Sequence, residues 1–124
     1  MNLSDYFENA EGFGVLATAD SKGNVDLAIY ARPHVEDETT IAFIMGQRLS
    51  HQNLQSNPHA AYLFVEQGEG YVGKRLYLTK IRQETDEGLI RSARRRVPKG
   101  CESEDSAKFL VYFRIDRIRP AVGD

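Results

Sequence analysis

Between Phe13 and Ile118 the sequence breaks into short segments whose apolar residues recur largely at every second position, with turn-forming residues between them. That period marks a strand with one buried face, since a helix repeats its apolar side chains every three to four residues. Six such segments are read: Phe13–Ala19, Val25–Arg32, Thr39–Met45, His59–Glu66, Lys74–Glu84 and Lys108–Ile118. Asp20-Ser21-Lys22-Gly23-Asn24 joins the first two as a hairpin. Pro33 stops the ladder, the acidic loop Glu36-Asp37-Glu38 turns the chain, and Gly68, Gly70 and Gly73 loosen the later connection. Six strands with only three short helical segments make a mainly β chain, an antiparallel barrel or sandwich.

The two faces of single strands carry further information. Val25, Leu27, Ile29 and Ala31 alternate with Asp26, Ala28, Tyr30 and Arg32, so the first set is expected in the core and the second is free for other work. The last strand sets Phe109, Val111, Phe113 and Ile115 against Leu110, Tyr112, Arg114 and Asp116. Its second face is partly apolar too, which points to a cover, such as another subunit. The helical segments are Asp5–Ala10 behind a Ser4 cap, a helix capped by Ser50 with Leu49 and Leu54 as its hydrophobic staple, and Asp86–Val97 with Arg94-Arg95-Arg96 in its last turn.

A chain of 124 residues suits one domain spanning 1–124, and 41% hydrophobic with 27% charged residues is an ordinary globular balance. A net charge of -2 gives no general attraction to nucleic acid or to an anionic membrane. The lone Cys101 rules out an intrachain disulfide, and a reducing cytoplasm is the expected setting. The start of the chain has neither the basic residues nor the apolar run of a signal peptide, and no apolar stretch reaches membrane-spanning length. His34 and His59 have no second ligand at metal spacing, and Cys101 has no neighbour that would lower a thiol pKa.

The segment that carries chemistry is Phe43-Ile44-Met45-Gly46-Gln47-Arg48-Leu49-Ser50-His51, a strand passing through a basic turn into a helix. A helix start offers free N–H groups and partial positive charge, so it can hold a phosphate. Arg48 adds a planar fork of donors, Ser50 a hydroxyl and His51 a further donor when protonated, with Arg32 expected nearby. Gly73-Lys74-Arg75 is a second candidate, able to neutralise a phosphate or to serve the pyrimidine edge of a flavin.

Arg32-Pro33, Phe43-Ile44-Met45, Arg48-Leu49-Ser50-His51-Gln52-Asn53-Leu54, Asn57-Pro58 and Ala61-Tyr62-Leu63-Phe64 stand in an order that resembles the pyridoxamine 5′-phosphate oxidase-like family of FMN-binding split barrels. The resemblance covers most of the chain. It implies a six-stranded antiparallel split β-barrel of Greek-key type, an obligate homodimer, and FMN in the cleft between subunits. Ala28, Ile29, Tyr30, Ala31 and Arg32, with Phe43 and Ile44, would line the flavin. Arg48, Leu49 and Ser50 would lie near its phosphate, with His51, Asn53, Lys74 and Arg75 as further cofactor-binding candidates. Ser50 stands where many members carry a lysine, and the substrate-recognising segment of the longer oxidases has no counterpart. The implied role is a flavin-dependent oxidoreductase or electron carrier other than pyridoxamine phosphate oxidase. The alternative is a binding module holding haem or a deazaflavin in the same cleft.

Overall fold

The computed structural model describes residues 2–94 and 108–123. Its elements in chain order are α1 (Leu3–Asn9), β1 (Gly12–Ala19), β2 (Val25–Tyr30), β3 (His34–Asp37), β4 (Thr40–Gly46), α2 (Leu49–Ser56), β5 (His59–Glu66), β6 (Gly73–Glu84), α3 (Glu87–Arg94) and β7 (Lys108–Pro120). All seven strands join one antiparallel sheet in the order β2-β1-β5-β6-β7-β4-β3. The expected count of six is therefore corrected to seven, in a hydrogen-bonded order that stays open. The added strand is β3, which follows Pro33 directly and buries only Val35. Four residues on a sheet edge leave too little alternation to read.

The sheet is strongly rolled. Laid flat, β2 and β4 would stand about 24 Å apart, five strand spacings, and β5 and β4 about 14 Å apart. Yet the ring centroids of Tyr30 and Phe43 are 5.8 Å apart, and those of Phe43 and Tyr62 are 4.8 Å apart. The inward side chains Leu16, Val35, Ile41, Phe43, Met45, Tyr62, Phe64, Leu76, Leu78, Val111 and Phe113 thus form one core, closed at its ends by Leu3 and Phe7 of α1 and Leu54 of α2. The helix α1 is capped by Asn2, whose side chain accepts from the Asp5 amide at 3.1 Å, and not by Ser4. That start includes Leu3 in the helix, four residues before Phe7, so both fall on the buried face.

Two expectations about faces are corrected. The outward row of β2 is the apolar one: Val25, Leu27 and Ile29 are 81%, 69% and 67% exposed, while Asp26, Ala28 and Tyr30 turn inward. The second face of β7 is covered by the same chain, with Ile90 of α3 packing on Ala42, Leu110 and Tyr112, so no second subunit is needed there. Asp86 caps α3 through hydrogen bonds from the Gly88 and Leu89 amides at 2.7 and 3.1 Å. Arg95, Arg96, Val97 and Cys101 lie outside the described residues.

Gly14 gives Tyr62 the room to reach across the barrel. A Cβ at residue 14 would overlap the Tyr62 hydroxyl and ring, and that hydroxyl donates to the carbonyls of Tyr30 and Ala31, at 3.1 and 3.2 Å. Gly14→Ala is expected to cost about 1–3 kcal/mol through overpacking. Tyr62→Phe, which removes the donor alone, is expected to cost about 1 kcal/mol. Urea unfolding measures both, and an unchanged midpoint for Gly14→Ala contradicts the close approach.

Candidate anion site at the start of α2

The strand β4 ends at Gly46, and two residues later Arg48 occupies the N-cap of α2 in an extended conformation, φ -127° and ψ -174°. Its side chain makes no capping hydrogen bond. The first intrahelical bond runs from the Gln52 amide to the Arg48 carbonyl at 2.9 Å, so the amides of Leu49, Ser50 and His51 have no acceptor within the helix. Among the described residues no carboxylate pairs with the exposed Arg48 guanidinium. Three amides and one unpaired cation therefore share one turn, and that turn suits a phosphate.

Ser50, expected as the cap, sits two positions further in and is buried. Its hydroxyl turns toward the phenol of Tyr30 on the inward face of β2. Burial pushes the Tyr30 phenol above its ordinary pKa, and the Ser50 hydroxyl and the Arg48 charge oppose that rise. The expected staple is absent, because Leu49 is 51% exposed while Leu54 lies in the core. Asn53 holds the helix in place: its Nδ2 donates to the Thr18 Oγ1 of β1 at 3.0 Å, both side chains being buried.

The other expected site residues are distributed as follows. Ala28 shares the inward face of β2 with Tyr30, Ile29 points outward, and Ala31 contributes its carbonyl to Tyr62. Phe43 and Ile44 occupy opposite faces of β4: Phe43 is in the core beside Tyr30, and Ile44 packs with the cluster under α3. Arg32 is committed to the end of α1, its Nη1 donating to the carbonyls of Phe7 and Ala10 at 2.9 and 2.6 Å. His51 is buried, stacked on Phe109 at 3.9 Å, with Nε2 3.1 Å from Gln83 Oε1.

Lys74 lies over the Tyr6 ring at 4.7 Å, and the Tyr6 hydroxyl donates to Glu66 at 2.6 Å. Arg75 donates from Nε to the Pro120 carbonyl at 2.8 Å and from Nη2 to the Gly123 carbonyl. So Arg48, Leu49, Ser50 and Tyr30 are gathered at the helix start, with Ala28 two residues before Tyr30 on the same strand face, and the side chains of Arg32, His51, Asn53, Lys74 and Arg75 are engaged elsewhere. The residue that composition alone undervalues is Asp26, which shares the inward face of β2 and raises the Tyr30 pKa through its charge. Its place in the period-two pattern was the available signal.

A groove of about 430 Å³ lies apart from this turn, lined by Asn9, Ala10, Glu11, Glu66, Gln67 and Gly68. Its two carboxylates make it a poor host for an anion. Among the described residues no three His, Cys, Asp or Glu side chains converge in metal-binding fashion, and no helix is long and apolar enough to cross a membrane.

No family profile and no curated protein matches the sequence. Solved structures do resemble it. An FMN-binding protein from Syntrophomonas wolfei superposes with a TM-score of 0.80 at 16% identity, over 96% of this chain and 83% of that one. An F420 reductase does so with a TM-score of 0.73 at 14% identity, over 93% and 94% of the two chains. A pyridoxamine 5′-phosphate oxidase-like protein from Listeria innocua gives 0.68 at 18% identity, over 95% and 97%. Rolled sheet, strand order and these superpositions agree, and the chain has the split-barrel fold of the pyridoxamine 5′-phosphate oxidase-like proteins.

Proposed function

We propose that the chain binds a flavin, FMN in the first instance, with the phosphate at the start of α2 and the cleft completed by a second copy of the chain. The observation that carries this reading is the uncapped first turn of α2 beside the unpaired Arg48 guanidinium, on a fold shared with an FMN-binding protein. The donors fit the group: three amides and a guanidinium match the oxygens of a phosphate, while the buried Ser50 hydroxyl is turned to Tyr30 behind them. Bound flavin would supply the electron and hydride chemistry, which accords with a site that has no nucleophile or acid–base pair of its own. The chain's share is to fix the phosphate and to offer Ala28 and Tyr30 on the adjoining strand face. The role that follows is a cytoplasmic oxidoreductase or electron carrier, with the donor and acceptor left to reduction assays with NADH and NADPH.

The second copy is supported by the outward face of β1, β2 and β5. Val25, Leu27 and Ile29 pair across the sheet with Ala19, Ala17 and Val15, and the last two pair in turn with Ala61 and Leu63. This is a continuous apolar surface with Phe13 at its end, of the kind a monomer rarely leaves in water.

A deazaflavin in the same cleft is the second reading, favoured by the likeness to an F420 reductase. Haem is disfavoured by the imidazoles: His34 lies 3.7 Å from Glu36, His51 is bonded to Gln83, and His59 is 3.4 Å from Thr79. The absorption spectrum of cofactor retained through purification separates the three.

Arg48→Ala is expected to weaken FMN binding about tenfold or more while leaving riboflavin, which has no phosphate, unaffected. Arg32→Ala is expected to lower stability by about 1–3 kcal/mol with FMN affinity kept. Quenching of flavin fluorescence reads both affinities, and protein that quenches no added FMN overturns the proposal. Sedimentation is expected to give twice the chain mass of 14.0 kDa, and Leu27→Asp to return it to a single chain with loss of FMN.

A further inference from the structure

His51 is held by a set of contacts that a phosphate ligand has no part in. Its ring lies on Phe109 of β7 at 3.9 Å and 13° from parallel. Its Nε2 is 3.1 Å from Gln83 Oε1 of β6 and 3.2 Å from Gln55 Nε2 one turn along α2. The Gln55 amide also donates to the His51 carbonyl at 3.1 Å. One ring nitrogen thus faces an acceptor and a donor together. The neutral ring can satisfy either, donating to Gln83 or accepting from Gln55 according to its tautomer. The imidazolium keeps the Gln83 bond, as the neutral Nε2–H tautomer does, and Gln55 donates to the His51 carbonyl and, at 3.5 Å, to Gln83 Oε1; what protonation adds is a charge on a buried ring whose contacts, Phe109, Gln83 and Gln55, include no carboxylate.

Those contacts fasten the first turn of α2 to β6 and β7, while Asn53 fastens the next turn to β1. We propose that His51 is a positioning residue for the anion site, and that its protonation releases the first turn of α2 and weakens phosphate binding. The proposal rests on the flavin reading for its ligand and on the latch geometry for its mechanism.

The surroundings reinforce the sense of the effect. Lys80, on the same inward side of β6, is the charged group that acts on the ring, and burial lowers its own pKa. Arg82 and Glu84 turn to the other face of β6 and pair with each other at 3.6 Å. From β7 the contact is the uncharged Phe109, with Lys108 the next residue along. Burial holds the imidazole below its ordinary value of 6.5; the Gln83 bond opposes it in part, and the Lys80 charge adds a smaller push in the same direction as burial. A base whose docked pKa is lowered takes up its proton more readily when released. The latch therefore holds in full above about pH 6.5 and weakens as the pH falls through the lowered value.

Hydrogen exchange of the protein without ligand tests the latch, and FMN titration tests its consequence. After correction for intrinsic rates, the α2 amides of the wild type are expected to open more often at about pH 5.5 than at about pH 7.5, with His51→Gln showing no such change. FMN affinity is expected to fall about threefold to tenfold more in the wild type than in His51→Gln over that interval. The phosphate of FMN titrates near pH 6 itself, and the comparison of the two proteins removes its contribution. Wild-type α2 exchange that does not depend on pH, or the same dependence in His51→Gln, overturns the latch. A pH-dependent latch in protein that binds no FMN at either pH overturns the flavin reading and leaves the latch standing.

Discussion

The contact on which the rest of the molecule depends is the meeting of Tyr30, Phe43 and Tyr62 inside the rolled sheet. These rings come from β2, β4 and β5, strands that a flat sheet would hold far apart, and Gly14 leaves the space in which the Tyr62 hydroxyl reaches the Tyr30 and Ala31 carbonyls. Burial raises the pKa of that phenol well above its ordinary value, so it remains a neutral donor at any ordinary pH. A polar tip bonded to two carbonyls inside an apolar core fixes one arrangement of the strands, because any other leaves the carbonyls or the hydroxyl without a partner.

Rolling the sheet also places α2. The helix carries the chain from β4 to β5, two strands separated in the sheet by β6 and β7, and it packs against β1, β2 and β4 on the way. Its three anchors divide the labour. Leu54 joins the core, Asn53 bonds to Thr18, and His51 lies on Phe109 beside Gln83. With those side chains turned inward, the turn before them is left with amides that have no acceptor in the helix and with the exposed Arg48. A helix start with anchors this close behind it is preorganised, so an anion bound there orders little that is not ordered already.

The cationic residues show how differently one charge can be used. Arg32 satisfies the last carbonyls of α1, Arg75 bonds to the carbonyls of Pro120 and Gly123, and Lys74 rests on the Tyr6 ring. Each serves the fold by occupying an acceptor that the chain itself leaves open. Arg48 differs because the backbone around it offers amides, which are donors, and a guanidinium has nothing to accept from them. It is the local backbone that sorts these cations, more than their spacing along the chain.

The alternating segments determined most of the sheet by themselves: β5 spans the residues read for it, and β1, β4, β6 and β7 differ by one or two at their ends. Alternation is a local property, and a buried face leaves it in the sequence wherever a strand is long enough. The turn holding Arg48, Leu49 and Ser50 was legible for the same reason, being one continuous segment. What the sequence left open are the matters settled between distant segments. Which face of β2 turns inward depends on the closing of the barrel around Tyr30, and it set Val25, Leu27 and Ile29 outside although they are the apolar row. The cover over Leu110 and Tyr112 depends on where α3 returns, and the partners of Arg32 and His51 lie 22 and 32 residues away. Only the tertiary structure decides such pairings, because they belong to the packed surfaces and have no counterpart in local periodicity.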